Sequence, residues 1–348
     1  MNATYFPIRE LGKGAFGTVF DAKSSASGTH FAVKVARGKH NRDVLSKEAQ
    51  IHSRMIHPNI LQFVTSFESE NCSQREGIVP LPHGSKGNCS VMVIELCTGN
   101  TLSARLQKGL PSLDQINLWG YEIASGLLYL KEQGVIHRDI KPENILFCNN
   151  TAKISDFGLA DYYEDLLTTA GTVGGNFGTP YFMSLEAFGN IFDYSTDIFA
   201  FGVVLYLMYA NRYPYPGKNL DQLRESLRKQ TPHFQNIKRE EKDRNLDLET
   251  LILRMINRDS TKRPQINEVL SHPFFQQKEL DATVIMEEGD SFDDDEDDMP
   301  MSLDDFKKHR MEFGNGTREQ FYMYLANLHP FMTPMSMQIF TRMWAKAV

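Results

Sequence analysis

Apolar and polar residues alternate over short stretches in the first hundred residues of the chain, with turn-forming residues between the stretches. This pattern predicts β-strands at residues 8–11, 18–22, 30–35, 60–67 and 90–96. One stretch with helical spacing, residues 41–55, interrupts them. Because alternation buries one face of each strand, the pattern predicts a small β-sheet accompanied by one main helix.

Beyond Leu102 the spacing of apolar residues becomes mostly helical. It predicts helices at residues 115–132, 196–209, 247–256 and 266–270. The two parts together predict an α+β protein with a β-rich N-terminal lobe and a larger, mainly helical C-terminal lobe. Residues 68–89 are rich in Ser, Asn, Gly and Pro, which predicts a long surface loop between two strands.

The C-terminal part of the chain changes character abruptly. Nine of the twelve residues from 287 to 298 are acidic, and repulsion between like charges predicts that residues 281–300 form a disordered linker. Helical patterns return afterwards, so residues 301–348 are expected to form a helical extension. This tail is predicted either to dock on the body of the same chain or to recruit a partner protein.

Composition narrows the class of protein. Of the 348 residues, 41% are hydrophobic and 23% are charged, as in ordinary globular proteins. The longest apolar run, residues 198–210, is shorter than the roughly 20 residues that a bilayer requires, so no membrane association is expected. The net charge of −7 arises from the acidic segment, and nothing indicates a nucleic-acid-binding surface.

The four cysteines, Cys72, Cys89, Cys97 and Cys148, form no C-x-x-C pair and no regular framework. They are interpreted as reduced thiols of a protein located in the cytoplasm or the nucleus. The N-terminus lacks the basic and apolar regions of a secretory signal, which agrees with that location.

A glycine-rich run, Gly12-Lys-Gly14-Ala-Phe-Gly17-Thr-Val19, offers backbone N–H groups that phosphate oxygens can approach closely. Such a run is weak evidence on its own. A dinucleotide-binding turn would open a helix, whereas a strand follows here, so the run is predicted to join two strands and to cover a nucleotide.

Two further residues suit phosphate binding. Lys34 lies in an apolar strand and Glu48 in the helix that follows. A surface lysine and a surface glutamate are the ordinary interpretations. An inward-facing lysine, however, needs a carboxylate to keep it charged and oriented, and Glu48 is the best-placed candidate.

The segment His137-Arg138-Asp139-Ile-Lys141-Pro-Glu143-Asn144 is followed by Asp156-Phe157-Gly158. Taken singly, these acids and the asparagine could be turn or capping residues. In this order, after the glycine run and Lys34, they closely resemble eukaryotic protein kinases of the serine/threonine type. The resemblance covers about residues 5–280. It implies a bilobal fold with an N-lobe (5–94), a hinge (95–100) and a C-lobe (101–280).

The resemblance also implies ATP and Mg²⁺ as ligands and assigns a role to each motif residue. Asp139 would accept the proton of the substrate hydroxyl, and Asn144 and Asp156 would bind Mg²⁺. Lys141 would steady the γ-phosphate. Lys34 would hold the α- and β-phosphates, with Glu48 fixing Lys34.

The adenine pocket is likewise implied by the resemblance. Ile94 would guard its back, while the Glu95 C=O and the Cys97 N–H would meet the adenine edge. The remaining predicted nucleotide contacts are the glycines of the run together with Leu11, Val19, Ala32 and Leu146. The apolar members of this set could equally be ordinary core residues.

Later motifs concern the protein substrate and the activation loop. Gly178-Thr179-Pro180-Tyr181 is similar to serine/threonine kinases, which implies that Thr179 helps to position a protein's Ser or Thr hydroxyl. The loop carries Thr172 as a candidate autophosphorylation site, whose phosphate would pair with Arg138.

Two motifs depart from the family pattern. Ser184-Leu185-Glu186 stands where Ala-Pro-Glu is usual, with Arg263 as the expected partner of Glu186, and Phe199 stands where tryptophan is usual. Neither position is a predicted phosphate or metal ligand. The alternative functions are a pseudokinase that acts as a nucleotide-binding scaffold and, less well supported, a small-molecule kinase.

Overall fold

A computed structural model describes residues 3–14, 17–70, 77–81, 87–168, 180–235, 237, 244–276 and 308. The chain divides into two units, residues 1–277 and 278–348, and all of the helices and strands named here belong to the first. The predicted linker and helical extension lie outside the described residues, apart from Lys308.

A five-stranded antiparallel sheet forms the N-terminal part. Its strands run in the order β1-β2-β3-β5-β4. Their bounds are Tyr5–Gly14 (β1), Gly17–Ser24 (β2), His30–Arg37 (β3), Phe63–Ser69 (β4) and Cys89–Glu95 (β5). The register places Lys34 opposite Val19 on one side and Met92 on the other, so the lysine lies in the middle of the sheet.

One long helix, α1 (Lys39–His52), packs against β3, β4 and β5. Gly38 precedes it with φ 76°, a backbone conformation that glycine adopts without strain. The buried face of α1 contains Leu45, Glu48 and His52, which are spaced three and four residues apart. Glu48 is thus directed towards the sheet.

The C-terminal part is mainly helical. It contains α2 (Leu102–Lys108), α3 (Leu113–Glu132), α4 (Tyr163–Thr168), α5 (Tyr194–Ala210), α6 (Leu220–Lys229), α7 (Leu246–Met255), α8 (Ile266–Leu270) and α9 (Pro273–Gln276). A capping box between Ser112 and Gln115 begins α3. The predicted α+β, bilobal class is confirmed.

Helix α5 is the buried core of this part, as expected for a helix that is apolar on all sides. Asp193 caps its N-terminus by accepting hydrogen bonds from the backbone N–H groups of Ser195 and Thr196. Among the described residues, none of the helices is long and apolar enough to cross a membrane.

Two short antiparallel strand pairs lie beside α3. Strand β6 (Val135–Ile136) pairs with β9 (Asp161–Tyr162), and β7 (Ile145–Cys148) pairs with β8 (Thr151–Ile154). The functional motifs fall in the segments between these strands. The strands are short, and sequence periodicity did not predict them.

The interpretation of residues 68–89 as a surface loop is wrong for part of the segment. Ile78 is fully buried in the N-terminal core, and its backbone exchanges two hydrogen bonds with Tyr5, at 3.0 and 2.7 Å. The bridge covers the free edge of β1, which gives Ile78 both a hydrogen-bonding partner and a buried site.

The interpretation of the cysteines as reduced thiols is also wrong. Cys97 and Cys148 form a disulfide bond, and Cys89 is disulfide-bonded as well. Cys97 and Cys148 are separated by 51 residues, but the hinge runs beside β7 and brings their Cα atoms to 4.5 Å. Spacing along the chain gave no indication of this proximity.

Candidate active site

The glycine-rich run forms the end of β1 and the start of β2, with residues 15 and 16 outside the described residues. Gly12 pairs with Val19 across the two strands. A Cβ atom on Gly17 would lie 2.6 Å from the carbonyl oxygen of Val35, so only glycine allows this approach of β2 to β3. At Gly12 a Cβ would meet no described atom within 4 Å, which leaves space for a ligand.

Lys34 connects the sheet, helix α1 and the segment after β8. Its Nζ donates to both carboxylate oxygens of Glu48 at 2.8 Å and to Asp156 Oδ1 at 3.1 Å. Burial alone would lower the pKa of Lys34, but the charges of Glu48 and Asp156 raise it above its ordinary value. Lys34 is therefore a fixed positive charge in the cleft.

Asp156 is the acid of the Asp-Phe-Gly motif. Burial alone would raise the pKa of its carboxyl group, but the charge and the hydrogen bond of Lys34 hold that pKa below its usual value. Its φ of 64° is unusual for a residue with a side chain. The carboxylate is therefore ionised at neutral pH and is held in a defined position by Lys34.

The loop between β6 and β7 brings three predicted residues together. Lys141 Nζ donates to Asp139 Oδ2 at 2.6 Å. Asn144 Nδ2 donates to the same Oδ2 at 2.9 Å and to the backbone oxygen of Asp139 at 2.8 Å. These bonds fix the orientation of the Asp139 carboxylate, and both of the bonds to its side chain end on Oδ2.

Asp197, in the first turn of α5, binds the backbone of this loop. Its Oδ2 accepts from the backbone N–H of His137 at 2.7 Å, and its Oδ1 accepts from that of Arg138 at 2.9 Å. Burial raises the pKa of Asp197, although the nearby His137 and the two N–H donors oppose the rise. The bonds stabilise Arg138 at φ 67°, a conformation that bulky residues rarely adopt.

Three aromatic rings, those of His52, Phe157 and His137, pack against one another beside the site. The Phe157 ring lies 4.7 Å from His52 and 5.1 Å from His137, measured between centroids. All three residues are buried. His52 Nε2 donates to the Leu61 carbonyl, so Nδ1 carries the lone pair, and this atom has no hydrogen-bond partner among the described residues. Burial lowers the pKa of His52 to about 4.

The predicted adenine pocket corresponds to one apolar cluster. Ala32 and Ile94 are paired across β3 and β5, and Val19, Cys97 and Leu146 pack against the same cluster. Leu11 lies near the end of β1 and is exposed.

Glu95 links the hinge to the C-terminal part. Its Oε1 accepts from the backbone N–H of Gln62 and from Lys153 Nζ, both at 2.6 Å. Lys153 lies on β8, so an ion pair connects the end of β5 to the β7–β8 hairpin.

The structure thus brings the predicted residues together in two groups, Lys34 with Glu48 and Asp156, and Asn144 with Asp139. The groups are neighbours, because the backbone N–H of Ser155, next to Asp156, donates to the backbone oxygen of Asn144 at 2.9 Å. Thr179 and Thr172 lie outside the described residues. Sequence reasoning did not assign a role to His52, Asp197, Lys153 or the Cys97–Cys148 pair. The sequence contained a signal for two of these residues. His52 follows Glu48 by one helical turn and therefore lies on the same face of the helix. Asp197 lies in the first turn of an apolar helix.

The oxygen atoms in the cleft fit a hard divalent cation. The amide nitrogen of Asn144 donates to Asp139, and within the part of the chain that the structure describes its amide oxygen has no hydrogen-bond donor, so it can serve as a ligand. The ionised Asp156 supplies a carboxylate, and oxygen ligands of this kind suit Mg²⁺. Asn144 and Asp156 are the residues that would hold the ion.

Glu186 and Arg263 form the ion pair that the sequence suggested, with Arg263 buried and Glu186 partly buried. Arg263 Nη1 donates to Glu186 Oε1, and Nη2 donates to Oε2 at 3.2 Å. Arg263 also donates to the backbone oxygens of Asn257, at 2.8 Å, and Ser195, at 3.1 Å. The hydrogen bond and charge of Arg263 hold the pKa of Glu186 below its usual value against the effect of burial.

Comparison with protein families and known proteins gives a consistent result. Residues 5–275 match the family model described as the protein kinase domain. The chain is 32% identical over 297 residues to serine/threonine-protein kinase Nek5 of Homo sapiens, covering 82% of this chain and 38% of that protein. It is 31% identical over 280 residues to calcium-dependent protein kinase 3 of Plasmodium berghei (strain Anka), covering 77% and 46% respectively. The chain spans less than half the length of these two relatives.

Proposed function

The chain belongs to the protein kinase family and is related to its serine/threonine kinases, and from this premise we propose that it transfers the γ-phosphate of Mg-ATP to Ser or Thr hydroxyls of protein substrates. The observation that carries the proposal is the connected set of hydrogen bonds from Glu48 through Lys34 to Asp156, beside the oriented Asp139 carboxylate. Each of these groups has a role in phosphoryl transfer.

Phosphoryl transfer depends mainly on placement and charge neutralisation. Lys34 offers a fixed positive charge to the α- and β-phosphates of the nucleotide, and its bonds to Glu48 determine where that charge lies. Lys141, beside Asp139, offers a second positive charge near the γ-phosphate. Mg²⁺, when bound by Asn144 and Asp156, neutralises phosphate charge.

Asp139 provides the proton acceptor. Its Oδ2 is occupied by Lys141 and Asn144, so Oδ1 is the atom that accepts the proton of the incoming hydroxyl. The bond from Lys141 holds this carboxylate in place while it orients the hydroxyl. The apolar cluster around Ala32, Ile94 and Leu146 receives the adenine ring.

A transfer assay tests the proposal. The purified full chain is incubated with radiolabelled ATP and a mixed library of Ser- and Thr-containing peptides, with Mg²⁺ or with excess EDTA. We expect transfer that requires Mg²⁺ and is lost in Asp156→Ala. The control Asp221→Ala removes an exposed acid on α6 and is expected to retain activity.

The same experiment distinguishes the alternative functions. Binding of MgADP without any transfer would overturn the proposal in favour of a nucleotide-binding scaffold. Transfer to small-molecule alcohols but not to peptides would overturn the assignment of protein substrates. Phosphoamino-acid analysis of the labelled peptides tests the preference for Ser and Thr.

We further infer that the protein acts in the cytoplasm or the nucleus, where ATP is available. The tail after residue 300 is proposed to dock on the kinase domain or to recruit a partner. Deleting residues 287–348 tests the second inference: a changed transfer rate with unchanged thermal stability would support a regulatory contact, and an unchanged rate would contradict internal docking.

A further inference from the structure

The disulfide bond between Cys97 and Cys148 joins the hinge to the strand beneath the nucleotide pocket. Cys97 follows the end of β5 by two residues, and Cys148 is the last residue of β7. The backbone already pairs here, since Gly99 N–H donates to Phe147 O at 2.8 Å and Phe147 N–H donates to Asn100 O at 3.0 Å. The bond therefore adds a covalent connection to a hydrogen-bonded contact between these two segments.

Both cysteines belong to the apolar cluster that contains Ala32, Ile94 and Leu146. Cys148 is only 5% exposed, whereas Cys97 is partly exposed. A reagent from solution therefore reaches Cys97 first, and the buried Cys148 is positioned to react with it next. This combination of one accessible and one resolving thiol is what a reversible oxidation site requires.

The charges near the pair are balanced. A carboxylate oxygen of Glu95 and the two sulfur atoms all lie within 4.8 Å of one another. An isolated carboxylate at this distance would disfavour a reactive thiolate. Lys153 pairs with Glu95 at 2.6 Å and offsets its charge, so thiolate formation at Cys97 is not opposed by an uncompensated acid.

We propose that Cys97 and Cys148 are a reversible oxidation site, and that their disulfide bond strengthens nucleotide binding by fixing the hinge against β7. The proposal rests on the proposed function, because it concerns the pocket that receives ATP. In the reduced protein the hinge keeps more conformational freedom, which nucleotide binding must restrict. The bond removes that freedom in advance.

The oxidant is a small-molecule disulfide such as oxidised glutathione. The Cys97 thiolate attacks one of its sulfurs, forms a mixed disulfide and releases one glutathione thiolate. The Cys148 thiolate then attacks the Cys97 sulfur and releases the second. Two protein thiols are thereby oxidised by two electrons, one glutathione disulfide is reduced to two thiols, and the two protons leave to solvent or to the released thiolates.

The test compares the whole 348-residue chain in reduced and oxidised glutathione buffers. Alkylation of free thiols followed by peptide mass mapping reports whether Cys97 is linked to Cys148. Calorimetry then measures the dissociation constant for MgADP in each buffer. We expect the oxidised protein to bind MgADP about three- to tenfold more tightly, and dithiothreitol to reverse the change.

Variants identify the bond responsible. Cys148→Ser is expected to bind MgADP equally in both buffers, and Cys148→Ala serves the same purpose if the serine variant does not fold. The control is the double variant Cys72→Ser/Cys89→Ser, which retains Cys97 and Cys148 as its only cysteines and is expected to keep the full redox response.

Three results would overturn the proposal. They are a wild-type protein without the Cys97–Cys148 link in oxidising buffer, equal MgADP affinity in the two buffers, and a redox response that persists in the Cys148 variants. Failure to bind MgADP in either buffer would instead overturn the proposed function, so the two failures are distinguishable.

Discussion

Lys34 Nζ lies 3.1 Å from Asp156 Oδ1, so the lysine of strand β3 and the acid that follows β8 are in direct contact. One residue belongs to the sheet and the other to the helical part. Glu48 contributes a second carboxylate to the same lysine from helix α1. The cleft is therefore held together by bonds that run across three separate elements.

The first prediction concerns Glu48→Gln. Loss of one partner from a buried ion pair typically costs about 3–5 kcal/mol in the free energy of unfolding. Because Lys34 retains Asp156 as a partner, we expect a smaller loss of about 1–3 kcal/mol. The lysine would be drawn towards Asp156, and kcat/KM for ATP is expected to fall about 10- to 100-fold because the charge is misplaced.

Urea denaturation and steady-state kinetics measure these two effects. Asp43→Asn is the matched control, since Asp43 is an exposed acid on the same helix. Unchanged kcat/KM in Glu48→Gln would show that Glu48 does not position Lys34.

The second prediction concerns Asp139→Asn. The variant keeps the side-chain shape but has no group that can accept the hydroxyl proton. Removing a general base typically lowers the rate about 10²- to 10⁴-fold, and we expect a loss of kcat in that range. Single-turnover transfer measures it, and unchanged MgADP affinity and thermal midpoint would confirm that the fold is intact. A loss of less than about tenfold would exclude Asp139 as the proton acceptor, because a general base contributes about 10²-fold or more.

The third prediction concerns pH and His52. The folded protein holds the pKa of this histidine at about 4, whereas the unfolded chain has an ordinary value near 6.5. Between these values the unfolded state binds a proton that the folded state does not. Stability is therefore fully present above pH 6.5 and is lost as the pH falls towards 4, by up to about 3 kcal/mol.

Urea denaturation from pH 7.5 to 4.5 measures this loss. His52→Leu has no proton to bind and is expected to show a flatter pH dependence, although it loses the bond to the Leu61 carbonyl. His40→Gln, which changes an exposed histidine on α1, is expected to follow the wild type. Identical slopes for His52→Leu and the wild type would contradict the prediction.

The fourth prediction concerns Arg263→Gln. The change leaves Glu186 without its charged partner and removes donors from the carbonyls of Asn257 and Ser195. We expect the free energy of unfolding to fall by about 3–5 kcal/mol. Lys262→Gln, at an exposed neighbouring position, is the matched control.

Nucleotide affinity separates a structural role from a catalytic one. In the described structure Arg263 contacts none of the proposed phosphate-binding residues. We therefore expect the folded variant to bind MgADP with unchanged affinity. A large loss of affinity with unchanged stability would refute the structural role.

Much of the fold was predictable because long elements have strong periodicity. The predicted helix at 115–132 is α3, which begins two residues earlier at the capping box of Ser112. The five main strands were all anticipated, with errors of a few residues at their ends. Sequence patterns locate the middle of an element better than its ends, because the terminal residues respond to tertiary contacts.

The remaining features depend on proximity in space. Ile78 lies in a polar, proline-containing segment, and only the free edge of β1 explains its burial. Cys97 and Cys148 meet because the hinge pairs with β7, a contact that neither local sequence contains. The motif residues of the site could be identified from the sequence because phosphoryl transfer requires side chains of those types. His52 belongs to no such motif and is recognisable only from its ring contact with Phe157.

Asp197 attaches the loop between β6 and β7, which carries Asp139, to the buried helix α5. The amide protons of His137 and Arg138 are bound by the carboxylate of Asp197, a buried residue in the first turn of α5. Water reaches those two amides only when the loop separates from the helix. Loss of the catalytic geometry is therefore coupled to opening of the protein's interior, and local fluctuations at the surface leave it intact.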